Sequence, residues 1–210
     1  MDSLPPPRLD LLVHSPSHHA YSPVLSQLLE PSPPLSALLA PQLHQTIAAL
    51  PSSEKPKDYH AFLQIAQEVV DKWDIEDQAA FLAAHPRIGE TKGLSKSSEG
   101  EQAPAAGQGA TPGIVLKRLE NLNSLYESAF PGLRYITFVN GRTRAEIIPE
   151  LEGLLSLPLP PPSPDSAEPK LGELRTNLRV YPTGSGPWRT ELKRGLQAMW
   201  DIAHSRVDKW

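Results

Sequence analysis

Proline falls in bunches along this chain, and the bunches decide where regular structure can run. Twenty-four of the 210 residues are proline, more than twice an average usage of about 5%. A proline fixes φ and removes a backbone donor, so a helix interior tolerates it poorly. One bunch, Pro5 to Pro7, opens a Pro-, Ser- and His-rich stretch; another is Pro31, Pro33 and Pro34; and six prolines crowd residues 157–169. These positions predict a flexible N-terminal segment over residues 1–21 and a folded domain over residues 22–210. They also predict an extended, solvated and disordered insertion at 157–169. His14, His18 and His19 cluster in the first stretch, but the prolines and serines around them oppose the fixed geometry a metal site needs.

Between the bunches the apolar residues recur at helical spacing. Residues 24–29 and 35–50 read as helices, the first about two turns long, with Ser32 or Ser36 as a cap for the second. Over residues 57–73, Tyr59, Phe62, Leu63, Ala66, Val69, Val70 and Trp73 share one face. Residues 74–84 continue in the same style, with Asp74 as N-cap, until His85-Pro86 stops them. Residues 87–112 lack periodicity and read as a long polar loop, a feature that is functional or disordered in most compact domains. Residues 113–130 form a helix with Leu116, Leu119, Leu122, Tyr126 and Phe130 along one face. Residues 135–139 are the one strand-like run, and without a partner they predict a short extended segment packed between helices. Thr143 and Glu146 have the spacing of a capping box for a helix over 143–155, whose Pro149 then falls in its first turns. An amphipathic helix over 189–207 closes the chain. The fold expected is all-α: a single compact helical domain of about seven to eight helices with long loops and a proline-rich insertion.

Composition removes several function classes. With no cysteine, disulfides, thiolate catalysis and cysteine-based metal centres are excluded. The net charge of −4 is made of interspersed acids and bases, which supplies no extended positive field for nucleic acid. No run approaches the roughly 18 to 20 apolar residues of a membrane helix, so no membrane partner is expected. The first twenty residues do not read as a signal peptide. Asp208-Lys209-Trp210 lacks the Ser-Lys-Leu type of peroxisomal address, which leaves a cytoplasmic or peroxisomal location open.

His85-Pro86-Arg87-Ile88-Gly89-Glu90 places a histidine at a helix end facing a loop. Imidazole titrates near neutral pH and can both give and take a proton. A lone histidine is nonetheless more often structural than catalytic. Glu99, Glu101, Arg142 and Arg144 each read singly as solvated charges, although Arg142 follows the apolar run and Asn140-Gly141, from which a guanidinium could grip a carboxylate, ureido or carbonyl group.

Taken together the residues are more specific. His85-Pro86 with Gly89, then Ser98, Glu101, Gln102 and Ala103, then Leu122-Asn123, Tyr126 and Phe130, then the apolar run to Arg142 with Ile147 beyond, resemble the 2-oxo-4-hydroxy-4-carboxy-5-ureidoimidazoline (OHCU) decarboxylases. Glu191-Leu192 and the run to Arg206 resemble the last helix of that family. The resemblance implies a carboxy-lyase of urate and purine catabolism that converts a small ureidoimidazoline to S-allantoin without a cofactor or metal, as a possible homodimer. It implies His85 as acid–base, Glu101 as its acidic companion and Arg142 as the anchoring guanidinium, with Arg144 as the alternative for that last role. Pro86, Ser98, Gln102, Thr137, Phe138, Val139, Asn140 and Gly141 would line the substrate. Two departures stand out: Arg87 occupies the position after His-Pro where the family has an acid, and the loop from His85 to Glu101 is short. Two rivals follow: a catalytically inactive relative kept as a binding or scaffold module, and a helical adaptor whose 158–164 stretch is an SH3- or WW-type ligand.

Overall fold

Helical spacing governs the chain wherever the prolines permit it. The computed structural model describes residues 6–90, 95, 98, 110–157, 159–164 and 168–210, and among them regular structure is helical, with no strand. The α-helices are α1 (Leu9–Leu12), α2 (Tyr21–Leu28), α3 (Ala40–Ala49), α4 (Tyr59–Val70), α5 (Ile75–Leu82), α6 (Gly113–Ala129), α7 (Arg144–Leu154), α8 (Leu171–Thr176) and α9 (Gly186–Val207). The all-α expectation therefore holds. No helix among the described residues is long and apolar enough to cross a membrane. The backbone groups into two compact units, Met1–Ala84 with Leu196–Trp210, and His85–Gly195.

In the first unit the expected apolar faces are the buried ones: Tyr59, Phe62, Leu63, Ala66, Val69 and Val70 of α4 are all buried. Asp58 caps α4, accepting from the Ala61 amide at 2.8 Å. Asp74 occupies the N-cap of α5 without a side-chain bond; instead Gln78 of that helix donates to the Val70 and Trp73 carbonyls, satisfying groups that a helix end leaves open. Ser32 fulfils its capping role toward Leu35, at 3.2 Å. A π-helical turn, Leu35–Leu39, leads into α3, where Pro41 has no N–H to sustain the regular ladder. Phe81 packs between Trp73 and Trp200, with ring centroids 5.5 and 6.4 Å away, and the buried Arg206 pairs with the buried Glu30 at 2.9 Å.

The N-terminal stretch needs correction. Read as flexible from its prolines and serines, it carries α1 and buries Leu12 and Val13. Its carbonyls take donors from the folded helices: Tyr59 Oη donates to Pro7 at 2.8 Å and Lys55 Nζ to Val13 at 3.0 Å. Two apolar side chains are too few to show a periodicity, yet enough to dock a single turn.

In the second unit α6 ends at Ala129, one residue inside the expected range, and α9 begins at Gly186, three residues early, since Pro187 is tolerated in a first turn. That early turn carries Trp188, whose ring is buried and donates to the Pro131 carbonyl at 2.9 Å. The Thr143 and Glu146 capping box forms as expected. The proline-rich stretch is irregular where described, but it is anchored. Arg118 of α6, buried, pairs with Glu152 of α7 and Glu168, the latter at 2.6 Å, and donates to the Pro160 carbonyl at 3.2 Å. A cation with so little solvent needs such partners, and they were invisible to local patterning.

One contact of the first unit predicts a pH response. His60 and His204 face each other with Nδ1 atoms 2.8 Å apart. Desolvation, then the charge of His60, holds His204 below its usual value, against the opposing pull of Asp201 and Asp208. The unfolded chain therefore binds the proton more readily, so stability present above pH about 6.5 falls as the pH drops below it. Melting temperature measured from pH 7.5 to 5.5 should decline, and His204→Gln should flatten that decline.

Candidate active site

His85 follows α5 by three residues, just beyond the turn Ala83-Ala84 that closes the helix. Its side chain is buried, with the residue 3% exposed. Pro86 then holds the chain out of helix, and Arg87 to Glu90 form a tight turn in which the Glu90 amide donates to the Arg87 carbonyl at 3.1 Å and the Glu90 carboxylate accepts from the Arg87 amide at 2.9 Å. Gly89 sits at φ +84°, a region costly for other residues. A Cβ there would also lie 3.0 Å from Leu119 Cδ1 and 3.3 Å from Leu119 Cβ.

A stripe on α6 grips this turn. Leu119 abuts Gly89; one helical repeat later Asn123, buried, donates to the Ile88 carbonyl at 2.9 Å; one repeat further Glu127 takes Arg87 in a two-point ion pair at 2.7 and 2.8 Å. Residues four apart share a helix face, so Leu119, Asn123 and Glu127 meet Gly89, Ile88 and Arg87 in antiparallel order. The His85 carbonyl accepts from Arg134 at 2.6 Å, and Arg134 Nε lies 3.9 Å from Glu127.

Arg134 opens the segment 135–139, expected to be extended, which is irregular and pairs with no strand among the described residues. Its carbonyls are served by arginines. Arg194 of α9 donates to Ile136 at 2.9 Å and lies over the Tyr135 ring at 4.9 Å. Arg142 donates to Phe138 and Val139 at 2.6 and 3.1 Å. It can reach back because Asn140 and Gly141 both take positive φ and the Arg142 amide closes the turn on Val139 at 3.0 Å, as Asn-Gly turns of this kind do.

Acids balance these cations. Glu191, buried, accepts from Tyr126 at 2.7 Å and binds Arg194. Burial and the Glu191 charge push the Tyr126 hydroxyl far up; Arg194, which burial alone would lower, is raised by Glu191. Glu150 of α7 accepts from Tyr135 and Arg142, each at 2.6 Å, and from Thr137 at 3.2 Å. Burial works to raise the Glu150 carboxyl, but the Tyr135 and Arg142 hydrogen bonds hold it below its usual range.

The structure thus brings Thr137, Phe138, Val139 and Arg142 together around Glu150, and ties His85 through its carbonyl to the start of that same segment. Arg142 is partly exposed, and most of its N–H groups are occupied by these acceptors. Arg144 is half-buried, donates to Thr111 at 2.9 Å, and burial lowers its pKa. Pro86 is half-buried, while Ser98 is buried in a helical turn with its amide on Ser95 Oγ. Glu101 and Gln102 lie outside the described residues. Sequence reasoning assigned no role to Glu127, Arg134, Glu150 or Arg194. Arg87 was the available signal, since a cation directly after His85-Pro86 calls for an acid, and Glu127 stands one helical repeat from Asn123.

Gly89→Ala should cost about 1–2 kcal/mol from the left-handed backbone, and more where Leu119 cannot give way. Urea unfolding should show the loss as a lowered midpoint at unchanged slope.

The family model described as OHCU decarboxylase matches residues 15–156. That span begins inside the N-terminal stretch, contains His85, Ser98, Glu101, Gln102 and residues 137–142, and stops at the edge of the proline-rich stretch. No curated protein matches the chain.

Proposed function

The chain belongs to the OHCU decarboxylase family, a family of carboxy-lyases of urate breakdown, and on that premise we propose that it converts 2-oxo-4-hydroxy-4-carboxy-5-ureidoimidazoline to S-allantoin and CO2. The observation that carries the reading is His85: a buried imidazole whose backbone is fixed on the carbonyl side by Arg134 and beyond it by the α6 stripe. Proton transfer rewards such fixing, because a positioned acid–base group contributes roughly 10²–10⁴-fold.

The chemistry asks little else of the protein. The bond between the ring carbon and the carboxylate breaks, CO2 departs, and the electron pair stays on carbon, spread into the adjoining C=N and carbonyl groups. As the hydroxyl on that carbon becomes a carbonyl, one proton arrives from one face at the neighbouring ureido-bearing carbon, so that one proton net is consumed for each CO2 released. The substrate is its own electron sink, so the proposed reaction draws on no cofactor. His85, in company with Glu101, steers the substrate hydroxyl and supplies protons. Pro86, Ser98, Gln102 and the backbone of residues 137–141 line the substrate.

Arg142 enters the catalytic set through the 137–139 carbonyls it holds, which suits a group already engaged with Glu150. Arg144, the alternative anchoring guanidinium, is half-buried beside Thr111 and would contact a substrate oxygen directly. The adaptor reading is weakened by the proline-rich stretch itself, whose Pro160 carbonyl and Glu168 carboxylate are engaged by Arg118.

The substrate is generated in place from urate by the two preceding activities, and its loss is followed by circular dichroism. Wild type should accelerate decay and yield the S enantiomer, and His85→Ala should lose about 10²-fold or more in kcat. Arg142→Gln should lower both kcat and melting temperature, whereas Arg144→Gln should chiefly raise KM. If wild type leaves the spontaneous rate and product chirality unchanged, the enzymatic reading fails.

A further inference from the structure

Arg87 puts a positive charge on the turn directly after His85-Pro86. The structure shows what answers it. Glu127, 29% exposed, lies on α6 between two guanidiniums and forms the two-point pair with Arg87 at 2.7 and 2.8 Å. On its other side lies Arg134 Nε, at 3.9 Å, and the same Arg134 donates through Nη1 to the carbonyl of His85 at 2.6 Å. One carboxylate therefore reaches the His85 backbone by two routes: forward through Arg87, two residues along the chain, and across space through Arg134.

We infer that Glu127 is a positioning residue for His85, holding the imidazole in place by neutralising and orienting the Arg87 and Arg134 pair. The inference rests on His85 being the acid–base group of the proposed reaction.

Physical chemistry favours this over a merely stabilising surface ion pair. Exposed pairs contribute little, but this one is a two-point arginine–carboxylate contact, the geometry that adds direction as well as energy. Without the carboxylate, the two guanidiniums lose the counter-charge they share and repel each other. Arg134 can ease that repulsion only by swinging away from the His85 carbonyl. The backbone of a buried histidine then loses a charge-assisted donor, while the rest of the turn is still held by Asn123 and by Gly89 against Leu119. The expected damage is a small displacement of one side chain rather than unfolding, and small displacements of reacting groups are costly in rate.

The test uses the full chain with Glu127→Gln, Glu127→Asp, Arg134→Lys and, as a control, Lys117→Gln, which breaks an exposed ion pair with Glu120 on the same helix. Each variant is assayed in the coupled decarboxylation beside His85→Ala, and the His85 imidazole Cε1–H signal is recorded by NMR, assigned from the spectrum that His85→Ala loses. Glu127→Gln and Arg134→Lys should each lower kcat about tenfold with KM little changed, and should shift or broaden the His85 signal. Glu127→Asp should restore part of the rate and Lys117→Gln should match wild type. Wild-type kcat and an unmoved His85 signal in both Glu127→Gln and Arg134→Lys would overturn the inference, even with His85→Ala inactive. Should His85→Ala retain full rate, the decarboxylase assignment of His85 is what fails, and the inference goes with it as a statement about catalysis. In that outcome the NMR signal alone still reports whether Glu127 orients the ring.

Discussion

A stretch of irregular backbone that pairs with no strand among the described residues leaves a row of carbonyl groups for side chains to satisfy, and the second unit is organised around that demand. Ile136 is a buried residue, where a carbonyl left without a donor costs roughly 1–3 kcal/mol, while Phe138 and Val139 are half-buried. Arginine meets the need because one planar group carries several fixed donors. Arg194 takes Ile136, Arg142 takes Phe138 and Val139, and Arg134 takes His85. Each cation in turn requires an acid, and Glu191, Glu150 and Glu127 supply them. The ion pairs are thus consequences of backbone geometry. An ion pair with little solvent seldom adds net stability over an apolar substitute of the same shape, but an apolar substitute here would leave the carbonyls unserved.

Tyrosine extends the same logic. Tyr126 and Tyr135 are both buried, and each hands its hydroxyl to one of these carboxylates, Glu191 and Glu150 respectively. Their rings pack at a centroid distance of 5.4 Å, so the apolar bodies fill the core between α6 and the extended segment while the tips close the hydrogen-bond account. The result is a chain of contacts running from α6 through α9, the segment and α7 to Arg142.

Legibility in the sequence followed the range of the interactions. The helices were readable because their determinants repeat within a few residues: Phe62, Leu63, Ala66 and Val70 mark α4, and Thr143 with Glu146 marks the start of α7. The segment at 135–139 was also readable as extended yet unpaired, since only one strand-like run exists. The partners of Arg118 were not readable. Glu152 and Glu168 lie 34 and 50 residues away, and no local pattern tells a buried arginine on a helix from an exposed one. Composition misled at the N-terminus, where Pro and Ser content outweighed Leu12 and Val13. Of the site, His85 was visible through its neighbours Pro86 and Gly89, and Arg142 through Asn140-Gly141. What stayed hidden was that Arg142 turns back onto its own segment, a property of two positive φ angles and not of its charge.

The turn after His85 is held by three contacts of different physical kinds. Leu119, Asn123 and Glu127 lie four residues apart, and they meet Gly89, Ile88 and Arg87 with a steric contact, a hydrogen bond and an ion pair. Only the last of the three depends on charge. The first two need just a bare Cα and a main-chain carbonyl, which survive any change at position 87. A carboxylate at position 87 would face Glu127 at close range and repel it. Leu119 and Asn123 thus set the path of the turn, while the charge of Glu127 acts on Arg87 and Arg134 and through them on the His85 backbone.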